Sequence, residues 1–263
     1  MIKVNDQIVE QNHFPDGTLL MKYNAERGKV GTITWQYESD AELFTLYSLK
    51  KHLERVVPGW NVYLYLPYIP HARQDRVKSR EDVFTLKYFA EIINSLKFEK
   101  VYTIDPHSSV SEALIDNIEV VSPVDFIEHT LNNIGTDNLL MFYPDEGAMK
   151  RYSGMVEKEY AFGIKKRDWA TGKIEGLNVA GCVDKIKDSR ILIVDDICSR
   201  GGTFYHSAKK LKELGAKEIY LYITHCENTI LEGELLTSGL IEKVYTTNSI
   251  FTKEHEKIEV FEL

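Results

Sequence analysis

Short, β-branched apolar runs recur along the chain: Val62 to Leu66, Val101 to Ile104, Leu139 to Tyr143, Ile191 to Val194, Ile219 to Thr224 and Val244 to Thr246. Each leads into polar or glycine-bearing residues, and stretches of helical period lie between them. That alternation is the pattern of an α/β fold, because parallel strands need a long crossover between neighbours and a helix is the usual one. Helix ends carry chemical marks as well. Ser39 followed by Glu42 reads as a capping box ahead of Leu43, Leu46, Leu49 and Leu53, with Pro58 and Gly59 behind. Thr203 to Leu214 reads as a second helix closed by Gly215. The residue before a proline leaves helical geometry, so Ser122-Pro123 is the expected junction between an N-terminal block, 1–123, and a C-terminal block, 124–263. No low-complexity linker separates the blocks, which predicts tight contact and a site between them.

The 263 residues carry 40 Asp plus Glu against 32 Lys plus Arg, a net charge of −8. A generic nucleic-acid coat, which needs a basic surface for phosphates, is excluded by that balance. Hydrophobic residues at 43% and charged residues at 27% are those of a folding domain rather than a disordered chain. Cys182, Cys198 and Cys226 have neither metal-site spacing nor an even count, which fits a reducing compartment. With no targeting segment and no apolar run of about 18 residues, a cytoplasmic protein without membrane contact is expected.

The chemistry concentrates after the run Ile191 to Val194. Two adjacent acids, Asp195 and Asp196, precede Ser199, Arg200, Gly201, Gly202 and Thr203, where a helix begins. Backbone amides at a helix start, with glycines that permit close approach, form an anion cradle suited to phosphate. The acids can accept hydrogen bonds from sugar hydroxyls or hold magnesium through water. A plain capped turn is the competing reading, and the acid pair argues against it. Arg73 offers a planar fork to phosphate and Gln74 a hydrogen bond to a nucleotide, both after a strand end. Arg73, Asp75 and Arg76 also read as a solvated charge cluster. His107, after Val101 to Ile104 and near Asp105, reads as a partner for a metal-bound triphosphate or as a structural histidine. Asp145, ahead of Glu146 and Gly147, reads as a metal-facing acid or a helix cap. Lys165, Lys166 and Arg167 read as a basic loop, either merely exposed or able to stabilise charge in flight.

The segment Val194 to Thr203 resembles the phosphoribosyl-binding loop shared by phosphoribosyltransferases and ribose-phosphate pyrophosphokinases. Pro67 to Arg76, followed by Ser79-Arg80-Glu81, resembles a segment of the pyrophosphokinases that has no counterpart in simple phosphoribosyltransferases. Thr103 to His107 is similar to the stretch whose histidine contacts the magnesium of MgATP, and Tyr143 to Gly147 to one supplying a metal-facing aspartate. Ala161 to Arg167 is similar to the segment whose lysine and second-following arginine stabilise the transferring diphosphate. Phe14 to Thr18 resembles the turn that reaches the adenine pocket of a neighbouring subunit. On these ordered matches the chain is identified as a shortened, divergent member of the ribose-phosphate pyrophosphokinase family.

The resemblance implies two phosphoribosyltransferase-like domains, each a mostly parallel sheet flanked by helices. The first would carry the ATP side and oligomer contacts, the second the ribose-phosphate loop and a flexible catalytic loop. It implies transfer of the diphosphate of MgATP to the anomeric hydroxyl of a ribose 5-phosphate unit, releasing AMP, with Mg²⁺ as cofactor. Lys165 and Arg167 would be catalytic; Phe14, Asp16, Arg73, Gln74, Asp75 and His107 would bind ATP; His107 and Asp145 would face metal. Asp195, Asp196, Ser199, Arg200, Gly201, Gly202 and Thr203 would bind ribose phosphate. A homo-oligomer, at least a dimer, would complete the sites. The family commonly has Asp-Thr where this chain has Ser199-Arg200, so an acid is lost and a guanidinium gained beside the 5-phosphate. Two acceptors follow: ribose 5-phosphate, or a 5-extended ribose such as ADP-ribose, giving its 1-diphosphate. The rival readings are a phosphoribosyltransferase, which shares only the acid-pair loop, and a regulatory homologue without turnover.

Overall fold

In the computed structural model, residues 1–25, 31–167 and 174–263 are described, with 165–167 and 174–176 described by backbone alone. The chain divides into two compact units, Met1–Ser122 and Pro123–Leu263.

The first unit runs β1 (Ile2–Val4), β2 (Gln7–Ile8), β3 (Asn12–His13), β4 (Leu19–Leu20), β5 (Gly31–Trp35), α1 (Glu42–Val56), β6 (Val62–Tyr65), α2 (Thr85–Ser95), β7 (Val101–Ile104), α3 (Val110–Leu114) and β8 (Ile118–Val121). Its sheet has the order β2-β1-β5-β6-β7-β8, parallel from β5 to β8 and antiparallel at β1 and β2. Each helix is the crossover between consecutive parallel strands. The α1 face formed by Leu46, Leu49 and Leu53 is buried with Ile33, Leu64 and Phe89 in one core. The expected capping box is absent: Ala41 precedes the first turn and no side chain caps it. Glu42 is instead a buried hub, accepting from the Trp35 indole N–H at 2.9 Å, the Glu38 backbone N–H at 2.9 Å and the Met1 ammonium. Three donors hold it charged and below the usual carboxylate range although burial alone would raise it.

The second unit runs α4 (Val124–Ile134), β9 (Leu139–Tyr143), α5 (Glu146–Tyr152), β10 (Tyr160–Arg167), β11 (Ile174–Gly181), β12 (Arg190–Cys198), α6 (Gly202–Glu213), β13 (Glu218–Cys226), β14 (Lys243–Thr247) and β15 (Ile258–Phe261). The sheet order is β11-β10-β9-β12-β13-β14-β15, with β11 antiparallel and every other pairing parallel. Strand β12 lies inside this sheet and is covered on both faces. Ile191 and Ile193 pack with Phe204, Ala208 and Leu211 of α6, while Leu192 and Val194 pack with Ile127 and Leu131 of α4. Continuous apolar sequence is what a doubly covered parallel strand requires.

Two expectations about local structure are corrected. Strand β12 does not stop before the acids; it continues through Asp195 and Asp196 to Cys198, still pairing Ile197 with His225 and Cys198 with Cys226. Lys165 to Arg167 is backbone in β10 rather than loop, paired antiparallel to β11 with a register shift between Lys166 and Arg167. Only Tyr160 to Phe162 of β10 pair with β9, so the β10–β11 ribbon continues past the sheet on its own hydrogen bonds.

Candidate active site

Open parallel sheets place ligands beyond the carboxyl ends of their strands. In the first unit, β6 and β7 end side by side: the Leu66 N–H donates to the Tyr102 carbonyl at 2.8 Å and the Thr103 hydroxyl to the Pro67 carbonyl at 3.1 Å. The segment after β6 turns at His71, whose φ is +64 and whose ring Nε2 lies 2.9 Å from an Asp40 carboxylate oxygen. This turn presents Arg73 and Gln74 outward, both exposed. The Gln74 Oε1 accepts the Thr85 hydroxyl at 2.8 Å, which fixes the side-chain amide against the start of α2. Asp75 ties the two strand ends together, accepting the Ser108 hydroxyl at 2.7 Å and the Arg76 Nε at 2.7 Å. Arg76 foremost, with help from Ser108, holds that carboxyl at about 2. Asp105 closes β7 with φ +44, a left-handed turn that aspartate adopts more readily than most residues, and half-buried His107 follows. Arg73, Gln74, Asp75 and His107 are thus brought to one sheet edge.

Phe14 and Asp16 lie in the turn of the β3–β4 hairpin, a two-stranded ribbon that is not part of the main sheet. The turn closes through the Phe14 N–H to the Thr18 carbonyl at 2.8 Å and the Gly17 N–H to the Phe14 carbonyl at 2.8 Å, with Gly17 at φ +84. Asp16 accepts the Thr18 N–H at 3.0 Å and its hydroxyl at 2.7 Å, and the N–H foremost lowers its carboxyl. Phe14 stays half exposed.

In the second unit Asp145 follows β9 and caps α5, its Oδ1 accepting from the Gly147 and Ala148 N–H groups at 3.0 and 3.1 Å. Gly163 of β10 lies against this turn so closely that a Cβ there would be 2.6 Å from the Pro144 carbonyl oxygen. On β12, Asp196 is buried beside Arg151 of α5, with Nη1 to Oδ2 at 3.2 Å. Next to it the Asp195 Oδ1 accepts the Asp196 N–H at 3.0 Å, and the two carboxyl groups are in hydrogen-bond contact. Burial, then the adjacent Asp196 carboxylate, push the Asp195 carboxyl well above its ordinary range, and Asp145 adds to the push. Beyond the acids, Gly201 at φ +79 starts α6, and its carbonyl accepts the Tyr205 N–H at 2.9 Å. A side chain added at Gly202 would meet nothing within 4 Å, so this glycine borders open space, and the first amides of the helix have no partner within the helix itself. Arg200 is exposed at the lip, its guanidinium donating to Glu232 at 3.0 Å.

The side chains of Lys165 and Arg167 lie outside the described residues. Among the described residues no three or more His, Cys, Asp or Glu side chains gather as a metal cage, and no helix is long and apolar enough to cross a membrane.

Comparison with known proteins decides among the chemistries such sites allow. No protein-family model matches the chain. The ribose-phosphate pyrophosphokinase of Thermococcus kodakarensis is 31% identical over 93% of this chain and 86% of its own length. The chain belongs to the ribose-phosphate pyrophosphokinase family. That of Chlorobaculum tepidum is 30% identical over 75% of the chain, a match spanning 61% of that protein. The Mycoplasma pneumoniae member is 26% identical over 100% of the chain and 82% of its own length. The phosphoribosylpyrophosphate synthetase of Mycobacterium smegmatis has the same fold, with a TM-score of 0.81 over 97% of this chain and 86% of that one at 18% identity. The ribose-phosphate pyrophosphokinases are diphosphotransferases, and this chain is an enzyme of that family. Within it, sequence reasoning missed Ser108, which anchors Asp75, and Arg151, which neutralises Asp196. Ser108 stood next to His107 and was within reach of the motif reading. Arg151 carried no local signal, being a solvated-looking charge on a short helix.

Proposed function

We propose that the chain transfers the β,γ-diphosphate of MgATP to the anomeric hydroxyl of a ribose 5-phosphate unit, releasing AMP. The observation that carries this reading is an acid pair leading into an open glycine turn at the start of α6, in a chain whose family is that of pyrophosphokinases. The turn would hold the 5-phosphate on the backbone amides of Ser199 to Thr203. Asp195 would accept the ribose hydroxyls, and Asp196, paired with Arg151, would stiffen its neighbour's backbone. Arg73 and Gln74 would hold ATP, with Asp75 and Ser108 fixing the loop that carries them and His107 beside them. Phe14, half exposed at a hairpin tip, would stack on adenine in a second copy, with Asp16 shaping that tip, so the working form would be a homo-oligomer.

Magnesium takes oxygen ligands and usually reaches such sites on substrate phosphates with one or two carboxylates. Asp195, whose strong hold on its proton comes first from burial and then from the adjacent Asp196 carboxylate, is a donor that a divalent cation would suit, as is Asp145; His107 would face the metal that ATP carries. Bound, Mg²⁺ would neutralise the phosphate oxygens during transfer. Lys165 and Arg167 would supply the remaining positive charge to the diphosphate as it leaves the α-phosphate.

AMP formation from MgATP with a panel of 5-substituted riboses, read with product mass, tests the reading; a chain that releases no AMP with any of them does not have this activity. Lys165→Ala should lower kcat about 10²-fold while leaving ATP affinity within a few-fold, because its contact strengthens only as charge moves. Steady-state kinetics beside ATP titrations check the split. The acceptor could be ribose 5-phosphate or a 5-extended ribose such as ADP-ribose. One observation favours the larger acceptor: Arg200 stands exposed at the lip, held only by an exchangeable surface carboxylate among its described contacts. A charge-assisted contact is worth about 1.5–3 kcal/mol, so Arg200→Ala should cut kcat/KM for ADP-ribose about 10- to 100-fold. Its effect on ribose 5-phosphate should stay within a few-fold, and equal losses for both acceptors would exclude the larger one.

A further inference from the structure

The ribose-phosphate loop rests on a segment that no motif marks. After β13 ends, the Glu227 N–H donates to the Cys198 carbonyl at 2.8 Å, locking the chain to the end of the acid-bearing strand. Asn228–Glu232 then forms a 3-10 turn, and Gly233 follows with φ −92 and ψ 172. Those angles are open to any residue, so conformation does not demand glycine there. Space does. A Cβ built at Gly233 would overlap the Arg200 carbonyl oxygen and lie 2.9 Å from the Arg200 carbonyl carbon. Both are backbone atoms, so no side-chain rotation relieves the clash. One residue further along the loop, a Cβ at Gly201 would lie 2.9 Å from Leu235 Cδ2, and Leu235 is fully buried. Glu232 holds the Arg200 side chain at 3.0 Å. The stretch Glu232 to Leu235 therefore touches the loop at its side chain, its backbone and its glycine bend.

We propose that Gly233 is a positioning residue for the acceptor phosphate, and that the bare backbone it offers to Arg200 sets the height and tilt of the Ser199–Gly202 turn. The inference rests on the function proposed above. An anion cradle built from amides tolerates displacements of only a few tenths of an ångström, so lifting Arg200 would spoil acceptor binding and leave the ATP residues of the first unit untouched.

The test is Gly233→Ala, with Gly154→Ala as the control because a side chain at Gly154 meets nothing within 4 Å. Acceptor KM, ATP KM, melting temperature and the calorimetric Kd for ribose 5-phosphate without ATP would be measured for each. Gly233→Ala should raise the acceptor KM and the ribose 5-phosphate Kd about 10- to 100-fold and leave the ATP KM within about twofold. The control should match wild type in all four. Leu235→Val, which removes one methylene from the floor of the loop without a clash, should move the same two quantities about threefold. An acceptor Kd unchanged in a folded Gly233→Ala protein overturns the proposal, and if that variant does not fold, an unchanged Kd in Leu235→Val does so. Wild-type binding of ribose 5-phosphate without turnover would refute the activity while leaving Gly233 open to the same Kd comparison. Absence of binding of both ribose 5-phosphate and ADP-ribose overturns both.

Discussion

Asp195→Asn should make the unliganded protein melt about 2–4 °C or more higher while lowering turnover about 10²-fold. The two effects share one cause. The carboxyl of Asp195 is pushed well above its ordinary range by burial and by Asp196, so the folded state holds the proton more tightly than the unfolded chain does. Its contribution to stability is therefore complete below the unfolded value and is lost as pH rises through the folded one. Raising the pH from the unfolded value toward the folded one therefore works against the fold. Asparagine keeps an Oδ1 able to accept the Asp196 N–H, now at 3.0 Å, and removes the charge. The same charge is what sugar hydroxyls and a cation would draw on, so turnover falls. Melts of both proteins from mildly acid to neutral pH check this: the gap should widen with pH. Identical melting curves at neutral pH would falsify the burial argument, and retained turnover would remove Asp195 from the ribose site.

The same residues explain how much of the molecule the sequence makes legible. Val101–Ile104 and Leu139–Tyr143 have the bounds read from sequence because polar or turn-forming residues abut them on both sides. Strand β12 outruns its apolar run because Asp195 to Cys198 are carried by ladder hydrogen bonds to β13, and pairing is a property of two segments rather than one. The β10–β11 ribbon was hidden for a related reason: Gly163, Lys165 and Lys166 have low strand propensity, and only the partner strand makes them extended. Glu42 bore a capping signature, yet Trp35 and Glu38 out-competed the helix start for its oxygens. In the candidate site, the residues legible in advance are those whose spacing is local, Asp195 to Thr203 and Arg73 to Asp75. Those that hold them in place, Ser108, Arg151 and Gly233, act across the fold on backbone or buried atoms, and their own neighbours in sequence say nothing of it.

Arg151→Met should destabilise the second unit by about 3–5 kcal/mol, the cost of leaving a buried carboxylate without its cation. Asp196 has only 6% of its side chain exposed and Arg151 28%, so water can do little to replace the guanidinium. Methionine keeps an unbranched apolar side chain and removes the guanidinium, whose Cζ lies 5.8 Å from the Tyr152 ring centroid, so that contact is lost together with the ion pair. A double-mutant cycle separates this from simple truncation. Asp196→Asn in the Arg151→Met background should restore part of the stability, because the charge that Arg151 faced goes with it, and the coupling from denaturant midpoints should amount to about 2 kcal/mol or more. Additive losses would instead mean that the pair is solvated and that Asp196 is held by other contacts. The outcome also bears on the chemistry. If Asp196 is fixed by Arg151, ribose recognition falls mainly to Asp195, and Asp196→Asn should cost turnover less than Asp195→Asn does. If Asp196→Asn proves the more damaging of the two, the acid that faces Arg151 must exchange that partner for substrate during the reaction.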